Sequence, residues 1–231
     1  MRPALAGEQI CHVPSTGPTA YRDEFMPLGA SRARALEKTG NRHAMILAAI
    51  LLAGCALWAL GEAIMLTGAQ ITVLGGSVAT VGMVLAGCGI WTLKDLPGMV
   101  KPGRVGIVLS AFGAFSFAMV MIIVLTSGVV GAMAEGTVGH ADIVFTPFYL
   151  LALAFVVAGL LAFAIHFSKA PGAPATAALV PGALAVGHTA RIFVPDLAVY
   201  HETLSIALAL YLGWLGVRRV ALRTPRPDPA S

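Results

Sequence analysis

The sequence predicts an all-α polytopic membrane protein: a compact bundle of six transmembrane helices with the N- and C-termini in the cytoplasm. Of the 231 residues, 58% are hydrophobic and only 11% are charged, whereas about a quarter of the residues of a soluble domain are charged. The few charges flank long apolar segments, which is the pattern of membrane topology signals. Together these two observations favour a chain that spans a bilayer over a soluble domain.

Three regions follow from the composition. Residues 1–42 are the only substantial polar region and combine Pro, Gly, Ser and Thr with charged residues, so we predict a largely disordered cytoplasmic tail. Residues 43–219 form the predicted transmembrane domain, and residues 220–231 form a short basic cytoplasmic tail.

A helix that spans a bilayer needs roughly 20 predominantly apolar residues. Six segments meet this requirement, at about 44–66, 70–93, 105–131, 146–168, 176–194 and 197–217. The fifth is the weakest because Pro181, Gly182, Gly187, His188 and Arg191 interrupt it. If it did not span, the count would fall to five and the C-terminus would change sides.

The distribution of lysine and arginine favours six spans, since these residues accumulate on the cytoplasmic side of a membrane. They precede the first span, occupy the loops after the second and fourth spans, and follow the last span. The residues concerned are Arg32, Arg34, Lys38, Arg42, Lys94, Lys101, Arg104, Lys169, Arg218, Arg219, Arg223 and Arg226. Only Arg191 lies on the outer side in this topology. We therefore predict a multi-pass protein of the plasma (inner) membrane.

Small residues recur along the second span at alternating spacings of four and three. They are Gly75, Ala79, Gly82, Ala86 and Gly89. Helices in lipid associate where small residues allow close backbone approach, so this stripe predicts a GxxxG-like packing seam.

Similar seams begin in the third span (Gly106, Ser110, Gly113) and in the sixth (Ala209, Gly213, Gly216). Extended outward, the sixth-span seam reaches Ser205 and Glu202. The corresponding stripe of the first span (Ala48, Cys55, Ala59) reaches Glu62. Both glutamates are therefore expected to face the protein interior, as intramembrane acids generally do.

The predicted polar pocket opens to the outer side and consists of Glu62, His188, Arg191, His201 and Glu202. Such a cluster suits a small carrier, coupled to protons or ions or binding a polar solute. The fifth helix is expected to be broken by Pro181 and Gly182, which supports this reading because interrupted helices line transport sites. A subunit of a larger membrane complex is equally compatible with the sequence. The structural alternative is that Arg191 pairs with Glu202 or Glu62 and that the histidines donate hydrogen bonds. Trp58 and Tyr149 are interpreted as interfacial anchors or packing residues.

The second hypothesis is a membrane-embedded metal or haem protein, redox or hydrolytic. His188, His201 and Glu202, with His140 or Asp142, carry the ligand types that zinc, copper or iron prefer, and His188 with His201 could hold a haem. No tight ligand spacing such as HxxxH occurs, so no cofactor is predicted and no catalytic residue is assigned.

Several other functions are disfavoured. The three cysteines are scattered, so neither a disulfide framework nor a CxxC metal site is expected. The net charge of +4 lies at membrane boundaries, which argues against nucleic acid as a partner. We expect a non-enzymatic protein that associates with the lipid bilayer and with further copies of itself or other membrane subunits.

Overall fold

The computed structural model describes residues 28–67, 73–96, 98–133, 138–194 and 200–222. Within these ranges the chain forms six α-helices and one short 3₁₀ helix, and it forms no strand. The helices are α1 (Leu28–Thr67), α2 (Val73–Gly89), α3 (Lys101–Met133), α4 (Val138–Lys169), α5 (Ala175–Phe193) and α6 (His201–Ala221), and the 3₁₀ helix (Ile90–Asp95) continues α2. The all-α fold class is confirmed, and each predicted span overlaps one helix.

The predicted tails are only partly covered. Residues 1–27 and 223–231 lie outside the described residues, while α1 begins at Leu28 and so extends into the predicted N-terminal tail. The chain divides into two units between Asn41 and Arg42. The helices discussed below belong to the second unit.

Five helical segments of the described chain are long and apolar enough to cross a membrane. They are Arg42–Thr67, Val73–Asp95, Lys101–Ser127, Pro147–Lys169 and His201–Ala221. The remaining helix, α5, has 19 residues and is the one that carries His188 and Arg191. The five segments therefore have the character of a multi-pass membrane protein, and α5 is not among them.

The outside of the bundle is rich in large apolar side chains. Leu60, Phe112, Leu151, Leu161 and Leu210 are all exposed. A soluble bundle presents its polar face outward, whereas lipid tails accept such an apolar surface. The outward-facing residues thus agree with the composition of the segments.

The fifth helix is not broken at Pro181, contrary to the sequence-based expectation. α5 runs continuously from Ala175 to Phe193 with Pro181 inside it. Proline lacks the N–H that would bond to the carbonyl four residues earlier, here that of Ala177. The Tyr211 hydroxyl of α6 donates to this Ala177 carbonyl at 3.2 Å. A neighbouring helix thus satisfies the acceptor that the proline leaves open, as is required within a bilayer.

The seam predicted on α2 is confirmed and packs directly against α1. All five of its small residues are buried. A Cβ atom added at Gly82 would lie 2.2 Å from the backbone nitrogen of Trp58, and one added at Gly89 would lie 2.3 Å from that of Leu51. α1 contributes its own glycine, Gly54, whose Cβ would lie 2.3 Å from the Ala86 nitrogen. The two backbones are therefore in direct contact.

The other two predicted seams also pack against neighbouring helices. On α3, a Cβ at Gly113 would lie 2.6 Å from the side chain of Val156 in α4. On α6, a Cβ at Gly216 would lie 3.1 Å from Leu51 of α1, and one at Gly213 would lie 3.4 Å from Cys55. α6 therefore returns to α1, which brings the last helix beside the first.

A polar network joins α1, the 3₁₀ helix and α6 at one end of the bundle. This end holds Ala44 of α1 and the C-terminal ends of the 3₁₀ helix and α6. Arg219 is only 1% exposed. It donates through Nε to the Thr92 carbonyl at 3.0 Å and forms a salt bridge with Asp95 at 3.3 Å. The Thr92 hydroxyl in turn donates to the Ala44 carbonyl at 3.2 Å. Helix ends expose unpaired carbonyls with partial negative charge, and here a guanidinium supplies the donor. We call Ala44, Thr92, Asp95 and Arg219 the Arg219 network.

Candidate functional site

The five residues of the predicted polar pocket come from three helices that meet at the opposite end of the bundle. Glu62 lies near the C-terminus of α1, His188 and Arg191 lie near the C-terminus of α5, and His201 and Glu202 open α6. Electrostatic interactions link Glu62 with Glu202 and Arg191, and His201 with Arg191 and His188. These five residues are called the Glu62 cluster below.

Glu62 is 1% exposed and has one well-formed hydrogen bond. The Trp58 indole Nε1 donates to its Oε1 at 3.0 Å, because residues four apart lie on the same face of a helix. Ser205 of α6 also interacts with the carboxyl group. Even so, no donor among the described residues reaches the buried Oε2 with hydrogen-bond geometry. Half of this carboxyl group is therefore unsatisfied.

Arg191 is buried, at 6% exposure, and is held on two sides. Its Nη1 donates to Nδ1 of His201, and its guanidinium carbon lies 5.4 Å from the centroid of the Tyr149 ring. Its Nε and Nη2 are buried and have no hydrogen-bond partner among the described residues. Within the described residues, neither Glu62 nor Glu202 forms a salt bridge with Arg191. Arg191 therefore interacts electrostatically with both glutamates, but its hydrogen bond is to a histidine.

The two histidines differ in their surroundings. His188 is fully buried, and neither ring nitrogen has a partner among the described side chains. His201 is half-buried, accepts from Arg191, and packs its ring 6.0 Å from Tyr149 and 6.1 Å from Phe117. His201 is therefore held by a hydrogen bond and two ring contacts, whereas His188 has no hydrogen bond within the described chain.

Unsatisfied polar atoms are concentrated in this cluster. Of the seven buried side-chain nitrogen and oxygen atoms without a partner in the described residues, five belong to Glu62, His188 and Arg191. Buried polar groups in folded proteins are almost always hydrogen-bonded, and each one left open costs about 1–3 kcal/mol. These atoms therefore call for water molecules or a bound ligand.

The metal hypothesis gains no support from the described residues. Among them, no group of three His, Cys, Asp or Glu side chains is close enough to hold a metal ion. His188, His201 and Glu202 therefore do not form such a group. His201 already accepts a hydrogen bond at Nδ1 from Arg191. The side chains of His140 and Asp142 lie outside the described part of the structure.

Sequence reasoning placed Trp58 and Tyr149 among the anchors and packing residues, but both contact the cluster. The spacing of four between Trp58 and Glu62 was the available signal for the first. Tyr149 had no such signal, because its contact with Arg191 depends on how α4 and α5 pack.

No known protein family, characterised protein or solved structure matches this chain. Function is therefore inferred from the geometry of the Glu62 cluster.

Proposed function

We propose that this chain is a plasma-membrane protein with six spans and cytoplasmic termini. At about 1.5 Å per residue, the 19 residues of α5 extend about 28 Å, close to the roughly 30 Å hydrocarbon core of a bilayer. Lysines and arginines at the ends of the other segments support the same orientation. The Arg219 network then faces the cytoplasm and the Glu62 cluster faces the outside.

The function proposed for it is that of a small carrier that binds a polar solute in the Glu62 cluster. The observation that supports this is the concentration of five unsatisfied buried atoms on Glu62, His188 and Arg191. Ionisable residues inside a membrane are costly and usually mark a solute or ion path. A solute with both donor and acceptor groups would satisfy Arg191 and Glu62 together, which no side chain of the described residues does.

Uptake into proteoliposomes tests this proposal. The purified protein is reconstituted, and accumulation of labelled lactate, glycine, choline and glucose is compared with that in empty liposomes. We expect at least one solute to accumulate faster with the protein, and Glu62→Gln to abolish the difference. The matched control is Asp95→Asn, which changes a carboxylate at the other end of the bundle and should retain uptake in the folded fraction.

Three outcomes would overturn the proposal. The first is that none of the four solutes accumulates and none stabilises the protein in detergent, although bound ligands stabilise a folded state by mass action. The second is a stoichiometric metal or a Soret band in the purified protein, which would favour the metal or haem hypothesis. The third is a stably co-purifying membrane partner that is required for folding, which would favour a complex subunit.

A further inference from the structure

The buried guanidinium of Arg191 has one free edge. Its Nη1 is occupied by His201, while Nε and Nη2 both lack a partner among the described residues. Nε and Nη2 form the side edge of the planar guanidinium, with two N–H groups that point in parallel. That edge matches the two oxygens of a carboxylate, which arginine binds through paired, charge-assisted hydrogen bonds.

The edge is also held in a fixed orientation. The Tyr149 ring lies 5.4 Å from the guanidinium carbon and the His201 ring accepts from Nη1. A planar fork fixed in this way loses little conformational freedom when it binds. The arginine is therefore preorganised, although no carboxylate of the described residues occupies the edge.

The surrounding charges limit further which class of ligand can bind. Glu62 and Glu202 both act electrostatically near Arg191, so a ligand with two negative charges would be repelled. The open Oε2 of Glu62 and one of the two open ring nitrogens of a neutral His188 can each accept a hydrogen bond. A ligand with one carboxylate and one donor group answers both requirements.

We propose that the Nε–Nη2 edge of Arg191 binds the carboxylate of a small monocarboxylic acid that also carries a donor, as hydroxy acids and amino acids do. This inference rests on the proposed function and names the solute class of the Glu62 cluster. The donor group of the acid faces Glu62, and the Trp58 indole that bonds to Glu62 lies next to the bound molecule.

Ligand binding to the purified protein tests the proposal with four probes. Glycine and lactate carry a carboxylate and a donor, acetate carries only the carboxylate, and ethanolamine carries donor groups but no carboxylate. We expect glycine or lactate to raise the melting temperature most, acetate less, and ethanolamine not at all. In a Trp91→Phe/Trp214→Phe background, Trp58 is the sole tryptophan, and its emission should change with the same affinity.

An arginine variant locates the binding edge. Arg191→Lys keeps the charge but loses the fork, and we expect Kd to rise about ten- to a hundredfold, the equivalent of one charge-assisted hydrogen bond. The matched control is Arg218→Lys, since the Arg218 guanidinium lies 5.6 Å from the Trp214 ring at the other end of the bundle. This control should leave Kd unchanged.

The outcomes separate this proposal from the function it rests on. Ethanolamine, choline or glucose binding as well as glycine and lactate would overturn the carboxylate assignment while leaving a solute carrier in place. Equal affinity in Arg191→Lys and wild type would do the same. If no probe binds and no solute is taken up, the carrier function itself fails. The probe series uses the wild-type protein, so it gives an answer even if Arg191→Lys does not fold.

Discussion

Two buried arginines lie at opposite ends of this bundle, and their surroundings differ. Arg219 bonds to the Thr92 carbonyl and to Asp95, while Arg191 bonds to His201 and leaves two nitrogens open. Both are nearly inaccessible, with exposures of 1% and 6%. In this pair of residues the number of satisfied donors, and not burial, distinguishes the structural arginine from the candidate binding residue.

The difference has a physical cause in the helix ends that each arginine meets. Arg219 reaches the C-terminal end of the α2 and 3₁₀ segment, where carbonyls lack intrahelical donors. Arg191 itself lies in the last turn of α5 and points toward side chains of α1, α4 and α6. The C-terminal end of any helix supplies backbone acceptors, whereas a side-chain acceptor is present only where a particular residue packs against the arginine.

The largest loss of stability is expected for Arg219→Ala. It removes two charge-assisted hydrogen bonds, each of about 1.5–3 kcal/mol, and leaves the Thr92 carbonyl without its donor. We expect the free energy of unfolding to fall by about 3 kcal/mol, measured by SDS titration in mixed micelles. Solute affinity of the folded fraction should stay at the wild-type value.

The neighbouring Arg218→Ala serves as the control for that experiment. The partly buried Arg218 has its guanidinium carbon 5.6 Å from the centroid of the Trp214 ring, and a cation–π contact contributes about 0.5–2 kcal/mol. If both alanine variants lost the same stability, the Arg219 network would have no special structural role.

A smaller loss of stability is expected for Gly82→Ala, in the α1–α2 seam between the two ends of the bundle. The new methyl group would collide with the Trp58 backbone, and overpacking of this kind costs about 1–3 kcal/mol. Because Trp58 holds Glu62, solute affinity should fall as well, unlike in Arg219→Ala. Unfolding titrations and binding of glycine or lactate measure the two effects.

Gly182→Ala on α5 is the matched control for the seam. Among the described residues, the atom nearest to its new Cβ would be the Ala164 Cβ, at 3.9 Å, and alanine favours a helix over glycine by up to about 1 kcal/mol. Stability should therefore be unchanged or higher. Equal destabilisation by both substitutions would contradict the close α1–α2 contact as the cause.

The smallest change in stability is expected for Glu62→Gln, although this substitution is expected to abolish uptake. Gln can still accept from Trp58, and the substitution removes a buried carboxyl group whose Oε2 has no partner in the described residues. The free energy of unfolding should change by less than about 1 kcal/mol, and a gain is compatible with the usual conflict between stability and function. A loss as large as that of Arg219→Ala would make Glu62 a structural residue and would remove the contrast between the two ends.

Much of the packing was predictable because small residues have a single clear use in lipid. The alternation of four and three from Gly75 to Gly89 indicated one face of α2, and that face packs on α1. Extrapolating the same spacing to Glu62 indicated a buried side chain, and Glu62 is buried. By contrast, the continuity of α5 through Pro181 was not predictable, since it depends on the Tyr211 hydroxyl of another helix.

The sequence by itself determined the helical class, the approximate positions of the apolar segments and the faces along which they pack. These follow from segment length, hydropathy and residue size, which act within one helix at a time. Only the tertiary structure decided that α6 returns to α1 and that Arg191 bonds to His201 rather than to a glutamate. Such contacts depend on which helices become neighbours and at what depth each side chain lies, and no pattern within a single segment encodes either.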